Sequence, residues 1–399
     1  MTPPSRTARL VLVTGHGAVV GALPPLPVAT PWWQDIAPVV SAVRERWGVE
    51  PVILRLLAAS LTAPPGGEVT YLAQVDRPFM AVEPWDGELD EHPLRLPYAR
   101  PGGPAADLAW AAARLAEGGM AMTSPPIQVR TWNLSSLWHL PAKDGALWLK
   151  VVPPFFAHES ALLAHLAGGP VPALLAHDGA RSLMAEVEGE DLYEATPVQH
   201  AAMIDLLVDL QDAQAHRVDK LLALGLPDWR ADTLAEALAA IVARVAPQLD
   251  AADRASLASL LTGLPARLAG LAECGLPETL VHSDFHPGNF RGVNSDLTLL
   301  DWGDSGVGHP LLDQPAFLDR LPENRAAPLR DHWADRWRRR RPGCDPARAA
   351  RLIAPIAAAR KAIIYQGFLD RIEPSEHPYH RADPADWLAR TAALGRLEA

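Results

Sequence analysis

The stretch VHSDFHPGNFRGVNSDLTLLDWGDSG, residues 281–306, gathers His282, Asp284, His286, Asn289, Asp301 and Asp304 into one short interval punctuated by Gly, Pro and turn residues. NFRGV and LTLLDW are β-like runs joined by the turn-forming Asn294-Ser295-Asp296, so a hairpin folds Asp301 back beside Asn289. An amide oxygen and a carboxylate then stand at adjacent strand ends. Magnesium takes hard oxygen ligands, keeps several of its waters and is commonly held by one or two side chains plus substrate phosphates, which suits so sparse a pair. Asp284 falls in the irregular part of the stretch, free to face an incoming hydroxyl. Phosphoryl transfer needs positioning, neutralised phosphate charge and an acceptor for the hydroxyl proton, and Asp284 supplies the last of these. His282-x-Asp284-x-His286 also admits a zinc hydrolase. A zinc site wants a third strong ligand and an open position, whereas the hairpin returns an oxygen pair.

The same residues resemble the aminoglycoside phosphotransferase and choline kinase branch of the protein-kinase-like superfamily, whose pattern is His-x-Asp-x-x-x-x-Asn followed by an Asp-Phe/Trp-Gly-like element. His282, Asp284, Asn289 and Asp301-Trp302-Gly303 match those positions, and His286-Pro287-Gly288-Asn289 and Asp301-Trp302-Gly303-Asp304 are spelled as in that branch. The resemblance implies a bilobal α+β kinase-like fold with the nucleotide between the lobes. It implies Asp284 as the group that orients and deprotonates the acceptor, Asn289 and Asp301 as ligands of Mg2+, and ATP or GTP as phosphoryl donor. His282 and His286 become supporting residues, and Asp304 and Asp313 capping or loop-fixing ones, with Asp304 close to the metal.

A kinase makes demands upstream, and the sequence meets them in order. Lys150 ends LWLK in a strand and is placed to hold the phosphates, and Glu159 follows on the next helix, where it can pair with that ammonium. Asn133-Leu134-Ser135-Ser136 resembles the family's phosphate-covering loop, with Ser135 and Ser136 as donors to phosphate oxygens, although it lacks G-x-G-x-x-G. SLMAEVEG (182–189) resembles the interlobe hinge, which puts main-chain groups near Glu186 and Val187 against the base. In this family the C-terminal helices line the acceptor pocket, so Asp370, Glu373, His380 and Trp387 in the polar piece 363–388 are acceptor-site candidates; helix-surface polarity explains them almost as well.

Residues 8–100 read as a small α+β unit: strands RLVLVT and AVVGAL, helix PWWQDIAPVVSAVRERW, then strands PVILRLLAAS and EVTYLAQV. This order resembles a Nudix hydrolase domain. Only Glu45 of the Nudix box survives, with Trp33, Ser41, Ala42 and Arg46 where that family uses Glu, Arg, Glu and Glu. One carboxylate cannot hold magnesium, so the unit is expected to be catalytically degenerate and accessory.

The expected organisation is an accessory domain over 1–119, a β-rich lobe over 120–187 and a helical lobe over 188–399. IQVRTWNLSSLWHLP and GALWLKVVP are expected to pair as a hairpin around Pro141–Gly145, with Trp132, Trp138 and Trp148 as sheet packing. The formal net charge of −11 argues against nucleic acid as the main ligand. The arginine run RWRRRRP (336–342) is expected to be a solvated helix end. The stretch 10–23 is broken by Gly and His and is expected to form paired strands, so neither a signal peptide nor a membrane span is foreseen. With 2 cysteines, Cys274 and Cys344, no disulfide framework is available, which suits the cytoplasm. The expected activity is a magnesium-dependent small-molecule kinase acting on a hydroxyl of an aminoglycoside, sugar, amino alcohol or related metabolite. The alternative is a non-catalytic nucleotide-binding module.

Overall fold

A computed structural model gives the fold and describes residues 4–76, 82–143, 145–294 and 296–398; Asp144 and Ser295 of the two expected turns lie outside the described residues. The chain forms two compact units, one of Met1–Ser160, Leu174–Glu186 and Phe368–Arg381, the other of Ala161–Ala173, Val187–Gly367 and Ala382–Ala399.

In the first unit, strands β1 (Arg6–Val13), β2 (Val19–Ala22) and β3 (Leu26–Val28) precede helix α1 (Ala37–Trp47), followed by β4 (Val52–Ala59) and β5 (Gly67–Gln74). They form one sheet in the order β2-β1-β5-β4, with β3 also on β1 and with β1 parallel to β5. Helix α1 begins later than its expected start because Arg6 holds the preceding loop irregular. Its guanidinium donates to the carbonyls of Trp32 (2.5 Å) and Asp35 (2.8 Å), while Trp32 closes only a turn with the Asp35 N–H (3.2 Å) and the Ile36 N–H goes to Val129 (3.1 Å), so no helical ladder starts there. The helix ends at Gly48, whose φ of 69° only glycine adopts cheaply.

Helix α2 (Gly103–Glu117) leads to β6 (Ile127–Trp132), β7 (Ser135–Leu140), β8 (Leu147–Val151), α3 (His158–His165), β9 (Leu174–His177) and β10 (Arg181–Ala185), with sheet order β6-β7-β8-β10-β9. The expected long first strand is therefore two strands that turn back at Asn133-Leu134, where Trp132 pairs with Ser135. Period-two patterning continues through this turn, so it was not visible as a break. Its cause is Asn133, which is buried and bonded to Glu376 and His380 from the returning segment 368–381.

In the second unit, β11 (Glu190–Asp191) is followed by α4 (Pro197–Gln214), opened by a capping box between Thr196 and Gln199. After α5 (Val218–Ala223), β12 (Asp228–Trp229), α6 (Ala231–Val245) and α7 (Ala251–Glu273) come β13 (Thr279–Val281), β14 (Phe290–Val293), β15 (Asp296–Leu299) and β16 (Gly306–Gly308). Two small sheets result, β11-β14-β15 and β12-β16-β13. Helices α8 (Gln314–Leu318), α9 (Glu323–Arg340), α10 (Pro346–Leu369) and α11 (Asp383–Glu398) complete the chain. The arginine run is paired rather than merely solvated: Arg336, Arg340 and Arg341 meet Asp205, Asp209 and Asp212 of α4.

Helices α7 and α10 are long and apolar enough to cross a membrane by length and composition. More than half of the α10 window is buried inside the protein, as in a core helix. The exposed side of α7 carries Arg254 and Glu273 in its first and last turns with Ala255, Ala258, Ser259 and Thr262 between them, and 22% of its window is buried.

Candidate active site

The loop after β13 is held in a conformation that its sequence does not prefer. Ser283 has φ 73° and Asp301 φ 60°, left-handed values that cost a non-glycine residue on the order of 1–2 kcal/mol each. At Ser283 the surroundings account for it. The buried Asp313 carboxylate accepts the backbone N–H of His282 (2.9 Å) and of Ser283 (2.6 Å). Arg360 of α10 donates to Ser283 Oγ at 2.7 Å, and the neighbouring Lys361 donates to the Ser283 carbonyl at 2.6 Å. Gln211 steadies Asp313 in turn, at 3.0 Å. His282 links this loop to the hairpin beyond it through Nε2 and the Leu300 carbonyl, 2.9 Å, and its ring stands edge-on to Trp302. Burial holds the His282 imidazole down to about 4, so it is neutral and Nε2 is the donor.

Strands β14 and β15 pair from Val293↔Asp296 to Phe290↔Leu299, and the Leu300 N–H to Asn289 carbonyl bond (2.8 Å) extends the ladder one step. Asp301 therefore leaves the hairpin one residue beyond the partner of Asn289, exposed to solvent. The Asn289 amide nitrogen is committed to Asp284, 2.8 Å from its carbonyl and 3.2 Å from Oδ2. Its Oδ1 is left as the end that a hard cation can use. An amide oxygen and a carboxylate at neighbouring strand ends fit a magnesium ion that keeps waters and phosphate oxygens as its other ligands. The histidines do not converge on a metal. His286 accepts the Gly288 N–H at Nδ1 (3.0 Å) and lies 3.3 Å from Asp284 through Nε2, so both ring nitrogens are engaged.

Three groups surround the half-buried Asp284 carboxylate: His286, Asn289 and Lys361, the last 3.5 Å from Oδ1. Burial works to raise this carboxyl, but Lys361 and His286 outweigh it and hold it well below the usual range. Asp304 behaves in the opposite way. Burial pushes it up to about 7, with Lys361 opposing and the charges of Asp284 and Asp301 adding to the rise. Asp313 rises to about 6 through burial, against the two backbone N–H groups it accepts.

In the first unit, Lys150 on β8 and Glu159 on α3 form a buried ion pair of 2.6 Å. Ser135 and Ser136 flank the β6–β7 turn, and their hydroxyl oxygens accept the indole N–H of Trp132 (3.2 Å) and Trp138 (3.1 Å). Each hydroxyl proton is still a donor. The Glu186 carboxylate accepts the Trp148 indole N–H at 2.6 Å. The Val187 carbonyl, in the second unit, accepts from Arg291 Nε at 2.8 Å.

Of the four acceptor candidates, Asp370, Glu373 and His380 fall in the first unit and Trp387 in the second. Glu373 is buried against Arg95, with Arg55 at 3.7 Å, and His380 Nε2 lies 3.0 Å from Asn133 Oδ1, so both tie the 368–381 segment into its own unit. Asp370 is exposed. Trp387 sits on α11 in the other unit, under the Arg390 guanidinium.

Sequence reasoning missed Lys361 and Arg360. A signal existed, since only Lys143, Lys150, Lys220 and Lys361 are lysines among 36 basic residues. A lysine inside the apolar run IAAARKAII is out of place unless it has a charge to meet.

A family model described as the phosphotransferase enzyme family matches residues 135–351. No curated protein matches the chain. Among solved structures, a Thermobifida fusca protein provisionally named a fructosamine-3-kinase is 18% identical, with 72% of this chain and 98% of that one covered at a TM-score of 0.51. A macrolide 2′-phosphotransferase from Brachybacterium faecium is 19% identical over 68% of this chain and 97% of that one, at a TM-score of 0.48. A choline/ethanolamine kinase family protein from Mesorhizobium loti is 16% identical over 72% and 94%, at 0.46. The Thermobifida likeness is one of fold: α+β and protein-kinase-like, with additional N-terminal elements in this chain. The matched segment begins at the β6–β7 turn, runs through the loop that carries Asp284 and ends within α10, more than half of the chain, which therefore belongs to the phosphotransferase enzyme family.

Proposed function

We propose that this chain is a magnesium-dependent small-molecule kinase that moves the γ-phosphoryl group of ATP or GTP to an alcohol. The observation that carries this reading is the orientation of Asn289. Its amide nitrogen is tied to Asp284, so one side chain steadies the proposed proton acceptor and keeps its oxygen for a cation that Asp301 would share. Asp284 accepts a hydrogen bond from the acceptor hydroxyl and takes its proton as the oxygen meets phosphorus. His286 orients the Asp284 carboxylate, and Asn289 and Asp301 hold the metal, which when bound neutralises charge on the phosphates. Lys150, oriented by Glu159, donates to phosphate oxygens, helped by Ser135 and Ser136, and main-chain groups near Glu186 and Val187 meet the base.

On this reading residues 120–187 form the β-rich lobe, 188–399 the helical lobe apart from Phe368–Arg381, which returns to the first unit, and 1–119 an accessory domain without chemistry of its own. The last inference rests on Glu45 standing without the carboxylates that a metal site needs. The acceptors named for structurally similar proteins, macrolides, choline or ethanolamine and fructosamines, define the panel to try. Purified protein incubated with MgATP or MgGTP and kanamycin, erythromycin, choline or a fructosamine should form the nucleoside diphosphate and a phosphorylated acceptor in at least one pairing. The Asp284→Asn protein should form neither, and equal turnover by that variant sinks the assignment.

A further inference from the structure

We propose that Lys361 is a catalytic residue whose ammonium contacts the transferring phosphoryl group, a role that rests on the kinase reading above. Lys361 comes from α10, 77 residues along the chain from Asp284, and reaches the same loop. Its side chain is 11% exposed, and an ammonium held so far out of water is costly unless its charge is used.

The carboxylates of Asp284, Asp304 and Asp313 all feel that charge, and among the described residues Asp284 is the one in ion-pair contact with it, at 3.5 Å. The Ser283 carbonyl takes one N–H at 2.6 Å, which a neutral donor would satisfy equally. The strained turn is already secured by Asp313 and by Arg360. The second N–H points to Asp284 Oδ1 at 3.5 Å, too long for a strong charge-assisted bond. The third has no partner among the described residues. An alcohol oxygen bonded to Asp284 would lie about 2.7 Å from the carboxylate, with the phosphorus it attacks about 3 Å further on. The ammonium beside Oδ1 is thus within reach of the equatorial phosphoryl oxygens.

The step balances without any change at Lys361. The acceptor oxygen forms its bond to the γ-phosphorus as the bond from that phosphorus to the β,γ-bridging oxygen breaks. The nucleoside diphosphate leaves with the electron pair, the hydroxyl proton passes to Asp284, and Lys361 keeps its three protons throughout. Its contribution is to offset the repulsion between the Asp284 carboxylate and an anionic phosphoryl group and to donate to oxygens on which charge is spread.

The test uses the full chain with MgATP and the best acceptor of the panel above, comparing Lys361→Met, Lys361→Gln and Lys361→Arg with wild type for kcat, nucleotide KM and thermal midpoint. Loss of the charge should lower kcat about 10²–10³-fold while nucleotide KM stays within about threefold of wild type, and Lys361→Arg should recover at least about tenfold of the loss. Lys361→Cys treated with 2-bromoethylamine, which rebuilds an ammonium on a thioether stem, should regain activity in the same way. A kcat within about threefold of wild type in both neutral variants overturns the proposal. So does an equal loss in all variants, Lys361→Arg included, that tracks a fall in thermal midpoint, because that is the signature of a loop brace. Absence of any phosphoryl transfer by the wild-type protein overturns the kinase reading itself, and this role with it.

Discussion

Glu373 and Arg95 form a two-pronged ion pair: Arg95 Nη2 and Nε lie 2.9 Å and 3.1 Å from Oε2, both side chains are 7% exposed, and the partners are 278 residues apart. Removing one member of a buried pair leaves the other charged and unsatisfied, which costs about 3–5 kcal/mol. Glu373→Ala is therefore expected to lower stability by that amount in denaturant unfolding and to leave the acceptor KM of the surviving folded protein near wild type. A selective rise in acceptor KM without loss of stability would instead return Glu373 to the acceptor site.

Glu376, on the same segment, accepts the Leu56 N–H of β4 at 2.8 Å. Burial pushes its carboxyl from 4.5 up to about 8. Between those values the folded protein keeps a proton that the unfolded chain releases. The contribution of this group to stability is thus complete below the unfolded pKa and is lost as pH rises through the folded one, by up to ~1.4 kcal/mol per pH unit. Glu376→Gln, neutral throughout and still able to accept from Leu56, should flatten the stability curve across this window. Urea unfolding of both proteins at several pH values between about 5 and 9 reads the difference, and parallel curves would refute it.

Asp284 and Asp301 separate by what they spoil. Asp284→Asn keeps the shape of the loop and removes the proposed proton acceptor, so turnover should fall at least about 10²-fold with nucleotide binding intact. Asp301→Ala should also weaken nucleotide binding in the presence of magnesium and have little effect without it. Titration of a fluorescent nucleotide with and without the metal distinguishes the two.

Asp313 touches no expected substrate, yet its carboxylate accepts two backbone N–H groups that hold Ser283 at φ 73°. Asp313→Ala strands both donors in the interior, at about 1–3 kcal/mol each, and frees the loop to relax. Stability and kcat should fall together, and Asp313→Asn, which keeps one acceptor oxygen, should be milder on both. A fully stable Asp313→Ala protein would show that the loop does not depend on it.

The spacing of Asn289, the turn at Asn294 and Asp301 was legible because a hairpin is a local object: alternation and turn chemistry fix its register within a dozen residues. Lys361 and Arg360 were not, since they meet the loop through the packing of α10, and no pattern along the chain encodes which turn of a helix lands there. The turn at Asn133 was hidden for a related reason. Its polar side chain is buried, and only distant Glu376 and His380 satisfy it. Polar richness over 363–388 flagged a real feature but could not say whether Glu373 and His380 face a ligand or brace a fold. The arginine run shows the same limit, since its Asp partners lie on α4.

The return of Phe368–Arg381 to the first unit has a bearing on biosynthesis. Tyr379 belongs to the apolar cluster built on the first sheet, and Arg55 and Arg95 await carboxylates from the same segment. A ribosome must therefore deliver almost the entire polypeptide before the portion translated first can finish assembling, unlike a tandem protein whose leading domain matures while the remainder is still being made. Nascent chains stalled before residue 368 should be protease-sensitive even in their earliest part, and no single cut in the gene yields two self-sufficient halves.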